Sequence, residues 1–508
     1  MSVIFTLRNV KTSMGLVPLS EFSDWLRKRD DDVKVVVMAQ GFSSAPGTEG
    51  PLAEVPVAGL RKIWTWAILI AVGGFLFGFD TGVISGALLF VKTDFALNAF
   101  EQGSVVSVLL LGAMAGALSS GRIADRIGRK RIFGLQGGVF LLGTAIAAFS
   151  TGYWTLLAGR LVLGLAVGAA SATVPVYLSE IAPSEVRGRM LTLNQLMITI
   201  GILVAYLVNV VFSSAGNWRA MIGFGAVPAL VMVVAAMWVL PESPQWLLTH
   251  GRADQARRLI ASVTNEATAD LLLQRRQQRL GQAPDEQDDD RDASGWRALL
   301  ASRVRPALVV GLTLAAIQQF GGINTIIYYA PTIISQSGLT ASNAIVYSVA
   351  IGVINLVMTL VAIRLIDRLG RRPLLIVSLA GMTVMLALLG LSFVAGMSAE
   401  LSLVFMVVYI AAFAAGLGPI FWVLVGELFP PRVRASGSSA ATAVNWTSNF
   451  VVSLVFLTVV NAIGQGQTFW LFGCICAFGL WFVARYVPET KNREYGQVDA
   501  DLQHRFGR

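Results

Sequence analysis

Long apolar stretches follow one another along this chain, each closed by a polar segment. They lie at roughly 63–90, 102–121, 132–150, 154–179, 190–213 and 219–240, and again at roughly 306–335, 344–366, 374–396, 402–426, 436–461 and 468–487. A helix needs about 20 apolar residues to cross a hydrocarbon core about 30 Å thick, and it satisfies its own backbone groups in lipid. The pattern predicts an all-α membrane protein: twelve transmembrane helices in two six-helix bundles. Between the bundles, 241–303 mixes Arg, Asp, Glu and Gln, including Arg275, Arg276, Asp288, Asp289 and Asp290, so it cannot be a span. The expected domains are a polar lead (1–60), a first bundle (61–240), a linker with short helices (241–303), a second bundle (304–487) and a tail (488–508). In the lead, Met38 precedes a Gly/Ser/Pro/Glu-rich stretch that reads as disordered. Residues 1–37 lack the basic start and apolar core of a signal peptide. They read as an upstream start-site extension or a tail with no transport role.

The polar punctuation repeats. Asp125-Arg126-Ile127-Gly128-Arg129-Lys130 returns as Asp367-Arg368-Leu369-Gly370-Arg371-Arg372. Glu180-Ile181-Ala182-Pro183 returns as Glu427-Leu428-Phe429-Pro430, Arg187 as Arg434, and Pro241-Glu242-Ser243 as Pro488-Glu489-Thr490. The offset stays between 242 and 247 residues. Two parallel, pseudo-symmetric halves place a substrate site between them near the midplane.

Composition narrows the class. Charged residues are 14% and hydrophobic residues 55% of 508, against about 25% charged in soluble chains, too few to solvate several soluble domains. The net charge of +9 is spread over short loop clusters, so no nucleic-acid partner is expected. These clusters fall in every second loop, at Arg122/Arg126/Arg129/Lys130/Arg131, Arg187/Arg189, 252–305, Arg368/Arg371/Arg372, Arg432/Arg434 and Lys491/Arg493. Positive loops mark the cytoplasmic side, which puts both termini in the cytoplasm. Cys474 and Cys476, two apart in an apolar run, read as packing residues. The histidines, His250 and His504, lie outside the apolar runs, so no metal site or cofactor is expected.

Few polar residues stand inside the spans. Asp80 lies in the first, where a carboxylate costs about 2.5–3.5 kcal/mol on insertion scales. Its candidate partner is Arg160 in the fourth, which shares a helix face with Gly164, Gly168 and Ala172. Separating such a pair changes the proton affinity of the acid, a physical basis for proton coupling. The alternative is a structural pair near the extracellular end. In the seventh span, Gln318 and Gln319 precede Gly321-Gly322, Asn324, Tyr328 and Pro331. The glycine pair and Pro331 can bend the helix and turn Gln318 and Asn324 toward one cavity. Gln195 in the fifth span, Asn445 in the eleventh and Trp422 in the tenth extend the set. Amides donate and accept hydrogen bonds, which suits polyhydroxyl ligands; interhelical glue is the other reading. The loop charges Asp125, Arg129, Glu180, Arg187, Glu242, Asp367, Arg371, Glu427 and Arg434 are either solvated topology signals or an ion network pairing the halves.

At these residues the chain resembles the sugar porter family of the major facilitator superfamily, over about 63–495. The motifs are Gly121-Arg122-Ile123-Ala124-Asp125-Arg126-Ile127-Gly128-Arg129-Lys130, Pro241-Glu242-Ser243-Pro244, Gln318-Gln319 with Gly322-Ile323-Asn324, Gly418-Pro419 with Trp422, and Pro488-Glu489-Thr490-Lys491. The resemblance implies the major facilitator fold, alternating access and a monosaccharide or polyol substrate. Carried over by position, it implies sugar contacts from Gln195, Gln318, Gln319, Asn324, Asn355, Trp422 and Asn445, with Phe77 and Tyr328 lining the site. Xylose–proton symporters of bacteria have aspartate where Asp80 stands, whereas facilitative animal glucose carriers have a neutral residue there. Departures are Gln245 in place of an arginine, Ile202 where the xylose symporters have glutamine, and Ala414 where the animal carriers have glutamate. The expected function is proton-coupled uptake of a hexose, pentose or inositol across the cell membrane, with sugar, protons and lipid as partners. A passive facilitator is the nearest alternative. A sugar sensor, an intramembrane enzyme and a drug exporter fit less well.

Overall fold

A computed structural model describes residues 57–183, 186–271, 273–274, 298–336, 340–430, 433–491, 493 and 495–507, apart from the side chains at 57, 58, 298, 367 and 435. Residues 1–56 of the lead, the linker residues 275–297 (with Arg275, Arg276 and Asp288 to Asp290) and Arg432 lie outside the described residues, as does the side chain of Asp367.

Among the described residues twelve helices are long and apolar enough to cross a membrane. Spans 1 to 6 are Gly59–Asp94, Ala99–Ile127, Arg129–Ala148, Tyr153–Ile181, Arg187–Ser213 and Trp218–Val239. Spans 7 to 12 are Arg305–Ser335, Ala341–Ile366, Arg371–Val394, Ala399–Leu428, Ser436–Ile463 and Gln465–Tyr486. Each apolar run thus became one span, continuous or in pieces. Large apolar side chains such as Leu118, Phe149, Trp154, Val211 and Val377 remain exposed; in lipid nothing drives them inward.

In the first half, span 4 packs on spans 2 and 3, and span 1 on span 5; in the second, span 9 packs on spans 10 and 12, and span 7 on span 11. Across the halves, span 2 meets span 11 and span 5 meets span 8. These two pairs exchange under a six-span shift, as pseudo-symmetric halves require. The basic loops gather at one end, called the basic face below.

Two glycines of the repeated loop motif have a steric reason. Gly128 and Gly370 sit at φ +100° and +93°, a region that side chains disfavour. The carboxylates of Glu242 and Glu489 occupy the space a Cβ would need, at 2.2 and 2.7 Å. Three spans are broken: span 6 between Trp218–Gly223 and Ala226–Val234, and spans 7 and 10. Span 7 divides into Arg305–Phe320 and Ile323–Ser335 around Gly322, at φ +91°. Pro331, expected to share in the bend, stays inside the second piece. Span 10 divides at Gly416 into Ala399–Ala415 and Leu417–Leu428. After span 6 come short helices Pro244–Thr249 and Ala253–Ala261. The tail forms a helix, Tyr495–Arg505, which buries Val498, Asp499 and Leu502. Asp499 pairs with Arg303 at 2.9 Å.

Candidate functional site

Asp80 and Arg160 meet. The Arg160 Nη1 donates to both Asp80 carboxylate oxygens, at 2.7 and 2.9 Å, and its Nε donates to the Val105 carbonyl at 3.0 Å. Both side chains are almost wholly buried, at 3% and 2% exposure. The register of span 4 on span 2 explains the reach. Gly164 and Gly168 lie against the backbone carbonyls of Leu109 and Ala113, where a Cβ would come within 2.0 and 1.9 Å. Val105, Leu109 and Ala113 repeat every four residues, as do Arg160, Gly164 and Gly168. The two small residues bring the helices together, and the arginine one turn further along crosses to span 1. Arg160 lies two turns in from Tyr153, the start of its span.

The acid is three residues from a contact between the halves. The Thr81 hydroxyl donates to the Phe77 carbonyl at 2.8 Å. The buried Tyr328 side chain, on the second piece of span 7, lies in the surroundings of Asp80, Arg160, Thr81 and Asn449. Nearby, the Tyr206 hydroxyl donates to the Ile327 carbonyl at 2.9 Å. The Phe77 ring meets Trp446 across the halves, with centroids 5.7 Å apart.

One turn before Asn449, four amides form a connected set. Asn445 Nδ2 donates to Gln318 Oε1 at 2.6 Å, and Asn324 Nδ2 to Gln319 Oε1 at 2.7 Å. Gln319 Nε2 donates to Asn445 Oδ1 at 3.1 Å. Gln318 Nε2 reaches the carbonyls of Leu417 and Gly418, just past the break in span 10. The break in span 7 lets Asn324 turn back to Gln319, which a continuous helix would prevent. Gln318, Gln319 and Asn445 are buried, so these bonds replace the water each amide gave up. Such a set can exchange internal bonds for a ligand's hydroxyls at little cost.

Three residues of the expected set stand apart from this cluster. Gln195 is exposed, Asn355 is buried in span 8, and Trp422 is 41% exposed with its ring edge on Phe421. None of them hydrogen-bonds to the amide cluster. Thr81, Asn449 and Trp446 were missed. Asn449 and Trp446 had a usable signal, since both lie within a turn of Asn445. Thr81 had none, because a hydroxyl beside Asp80 is unremarked in an apolar run.

At the basic face each half carries its own ion network. Arg129 binds Asp125 at 2.8 Å and Glu180 at 3.0 Å, while Glu242 accepts the backbone N–H groups of Arg129, Lys130 and Ser243. In the second half Arg371 binds Glu427 at 3.0 Å, and Glu489 accepts the backbone N–H groups of Arg371, Arg372, Thr490 and Lys491. Glu242 and Glu489 sit at the N-termini of spans 3 and 9, where the helix dipole favours an anion. The Thr490 hydroxyl donates to Glu427, and the Tyr177 hydroxyl to the Pro241 carbonyl. The expectation of a network pairing the halves is therefore corrected: among the described residues these ion pairs close within each half, because Glu180 and Glu427 end spans 4 and 10 beside the starts of spans 3 and 9, and Glu242 and Glu489 are brought round by the end of their own sixth span. Arg187 and Arg434 begin the helices of spans 5 and 11, Arg434 donating to the Phe429 carbonyl at 3.4 Å. Gln245 is exposed.

Comparison with known proteins agrees with this architecture. The family model described as sugar (and other) transporter matches residues 66–502. The chain is 39% identical over 456 residues to a D-xylose transporter of Levilactobacillus brevis, covering 88% of this chain and 98% of that one. It is 37% identical to an arabinose-proton symporter of Escherichia coli, covering 86% of this chain and 92% of that one. Among solved structures, an inward open conformation of the xylose transporter XylE from E. coli superposes with a TM-score of 0.75 at 28% identity, covering 86% of this chain and 99% of that one. The chain belongs to the sugar (and other) transporter family: it is a multi-pass membrane transporter of the major facilitator fold and not an enzyme.

Proposed function

We propose that this family member imports a monosaccharide or polyol together with a proton, by alternating access, across the cell membrane. The observation that carries the reading is the buried Asp80–Arg160 pair, three residues from the Phe77–Trp446 contact between the halves. A titratable acid inside a span is a functional site by default. Its neutralisation releases the arginine, and the release acts where the halves touch. The names of the relatives, a D-xylose transporter and an arabinose-proton symporter, support sugar and proton as the cargo.

In this reading Gln318, Gln319, Asn324 and Asn445 bind the sugar hydroxyls, joined by Gln195, Asn355 and Trp422 as the halves close, with Phe77 and Tyr328 as walls. The substrate is a hexose, pentose or inositol; Ile202 argues against a pocket built only for xylose. The basic face is cytoplasmic, as are both termini, and the networks around Arg129 and Arg371 brace the two halves there. No cofactor takes part. The second reading is a passive facilitator in which Asp80 and Arg160 only brace spans 1, 2 and 4. Their buried geometry, with Arg160 bonded to both Asp80 and the Val105 carbonyl, suits that role equally. Uptake of a sugar panel by proteoliposomes, with and without an imposed proton gradient, tests both. Accumulation that depends on the gradient supports symport. Equilibration alone leaves the facilitator, and no uptake of any sugar refutes the reading.

A further inference from the structure

The break in span 7 leaves the Gly321 carbonyl between the two helical pieces. Gly321 N–H donates to Ile317 and Gly322 N–H to Gln319, while Gly322 accepts from Ile326 N–H and from the Thr325 hydroxyl. The Gly321 carbonyl is instead reached from two other spans. The Tyr409 hydroxyl of span 10 donates to it at 2.7 Å, and the Cys476 thiol of span 12 lies 4.0 Å away. Tyr409 and Cys476 are both fully buried. The other side of the break is walled by Phe472, whose ring lies 2.5 Å from where a Gly322 Cβ would be. A helix end buried in protein needs such an outside donor. Tyr409 lies on Ala399–Ala415, the piece of span 10 that ends at that span's own break.

We propose that Tyr409 is a positioning residue for transport: its hydroxyl pins the pivot of span 7 to the first piece of span 10, so that these two broken spans bend together. Gln318 and Gln319 lie before this pivot, and Asn324 reaches back to Gln319 across it. The contacts to the first half, through Ile327 and Tyr328, lie after it. A pinned pivot converts closure of the amides on a ligand into movement of the Ile323–Ser335 piece. Without the pin, the sugar still binds but its binding is relayed poorly. The inference rests on the transport reading above.

The test is Tyr409→Phe, which keeps the ring and removes only the hydroxyl, compared with Tyr329→Phe. Tyr329 is also fully buried, and its hydroxyl donates to the Ser453 carbonyl at 2.8 Å, away from the break. Purified proteins are reconstituted, sugar-binding sites are titrated, and counterflow is measured per binding site. Losing one buried hydrogen bond shifts a two-state equilibrium by about 5- to 30-fold. Tyr409→Phe is expected to lower turnover per site at least about fivefold on that scale, with the sugar Kd within about twofold. Tyr329→Phe is expected to lose thermal stability and keep its turnover. The inference is overturned if turnover in Tyr409→Phe falls less than fivefold, if its Kd moves with turnover, or if Tyr329→Phe slows equally. A Tyr409→Phe protein that does not fold is replaced by Tyr409→Leu, which also removes the hydroxyl and must give the same split. If the parent neither binds nor moves any sugar, the transport reading fails, a result distinct from parent transport that Tyr409→Phe leaves intact.

Discussion

Replacing Asp80 with asparagine separates the two readings of the buried pair. The change keeps shape and one hydrogen-bond acceptor but removes the charge and the titration. Arg160 then holds a buried positive charge with the Val105 carbonyl and one amide oxygen as partners. Breaking a buried ion pair on one side costs about 3–5 kcal/mol. At about 2–4 °C per kcal/mol for a large domain, the melting temperature should fall about 10 °C. The transport consequence is larger. One charge moved through 100 mV supplies about 2.3 kcal/mol, which at about 1.4 kcal/mol per tenfold sustains about 40-fold accumulation. With no proton carried, accumulation falls to unity while counterflow persists. Proteoliposomes with an imposed potential read the first number and preloaded vesicles the second. An Asp80→Asn protein that still concentrates sugar under the gradient would refute coupling through this acid.

Other perturbations give equally specific outcomes. Gln319→Ala removes the acceptor of Asn324 Nδ2 and the donor to Asn445 Oδ1, at about 1–3 kcal/mol; sugar affinity measured by calorimetry should weaken about tenfold or more. Arg129→Ala and Arg371→Ala each strand a glutamate, Glu180 or Glu427. Because each network closes within its own half, their losses in thermal stability should add to within about 0.5 kcal/mol in the double variant, and marked non-additivity would contradict that closure. Gly322→Ala forces a side chain into a φ of +91° at about 1–3 kcal/mol, so a lower melting temperature is expected. In the tail helix, burial and nearby Asp499 push the Tyr495 hydroxyl up to about 12. A raised folded value means that its stabilisation is complete below pH 10 and is lost as pH rises through about 12. Hydrogen exchange of 495–505 should therefore quicken over that window, and less so in Tyr495→Phe.

The fold was legible because each span wrote itself as one apolar run and the loop motifs repeated at one offset. Asp80 and Arg160 were legible for the opposite reason, as charges where charges are costly. The amide set was legible in part. Gln318, Gln319, Asn324 and Asn445 came together because a glycine pair announced the break, whereas Gln195, Asn355 and Trp422 stand apart in this arrangement. Tyr409 gave no signal, since one tyrosine in an apolar run carries no mark of the carbonyl it meets. The direction of the ion networks was misread because a repeat shows that two sites match, not that they touch. Only the path of the chain after spans 6 and 12 brings Glu242 and Glu489 home to their own halves.

That return has a consequence for biosynthesis. Glu242 follows span 6 directly and seals the start of span 3, so this seal and the Arg129 pairs with Asp125 and Glu180 lie wholly in chain made before any residue of span 7. At about 5–20 residues per second, translating the second half takes about ten to forty seconds. Through that interval the ribosome carries a bundle whose charged end is already satisfied. The same glutamate that finishes one half also separates it in time from the other, so the nascent chain can be inserted as two successive and individually complete units.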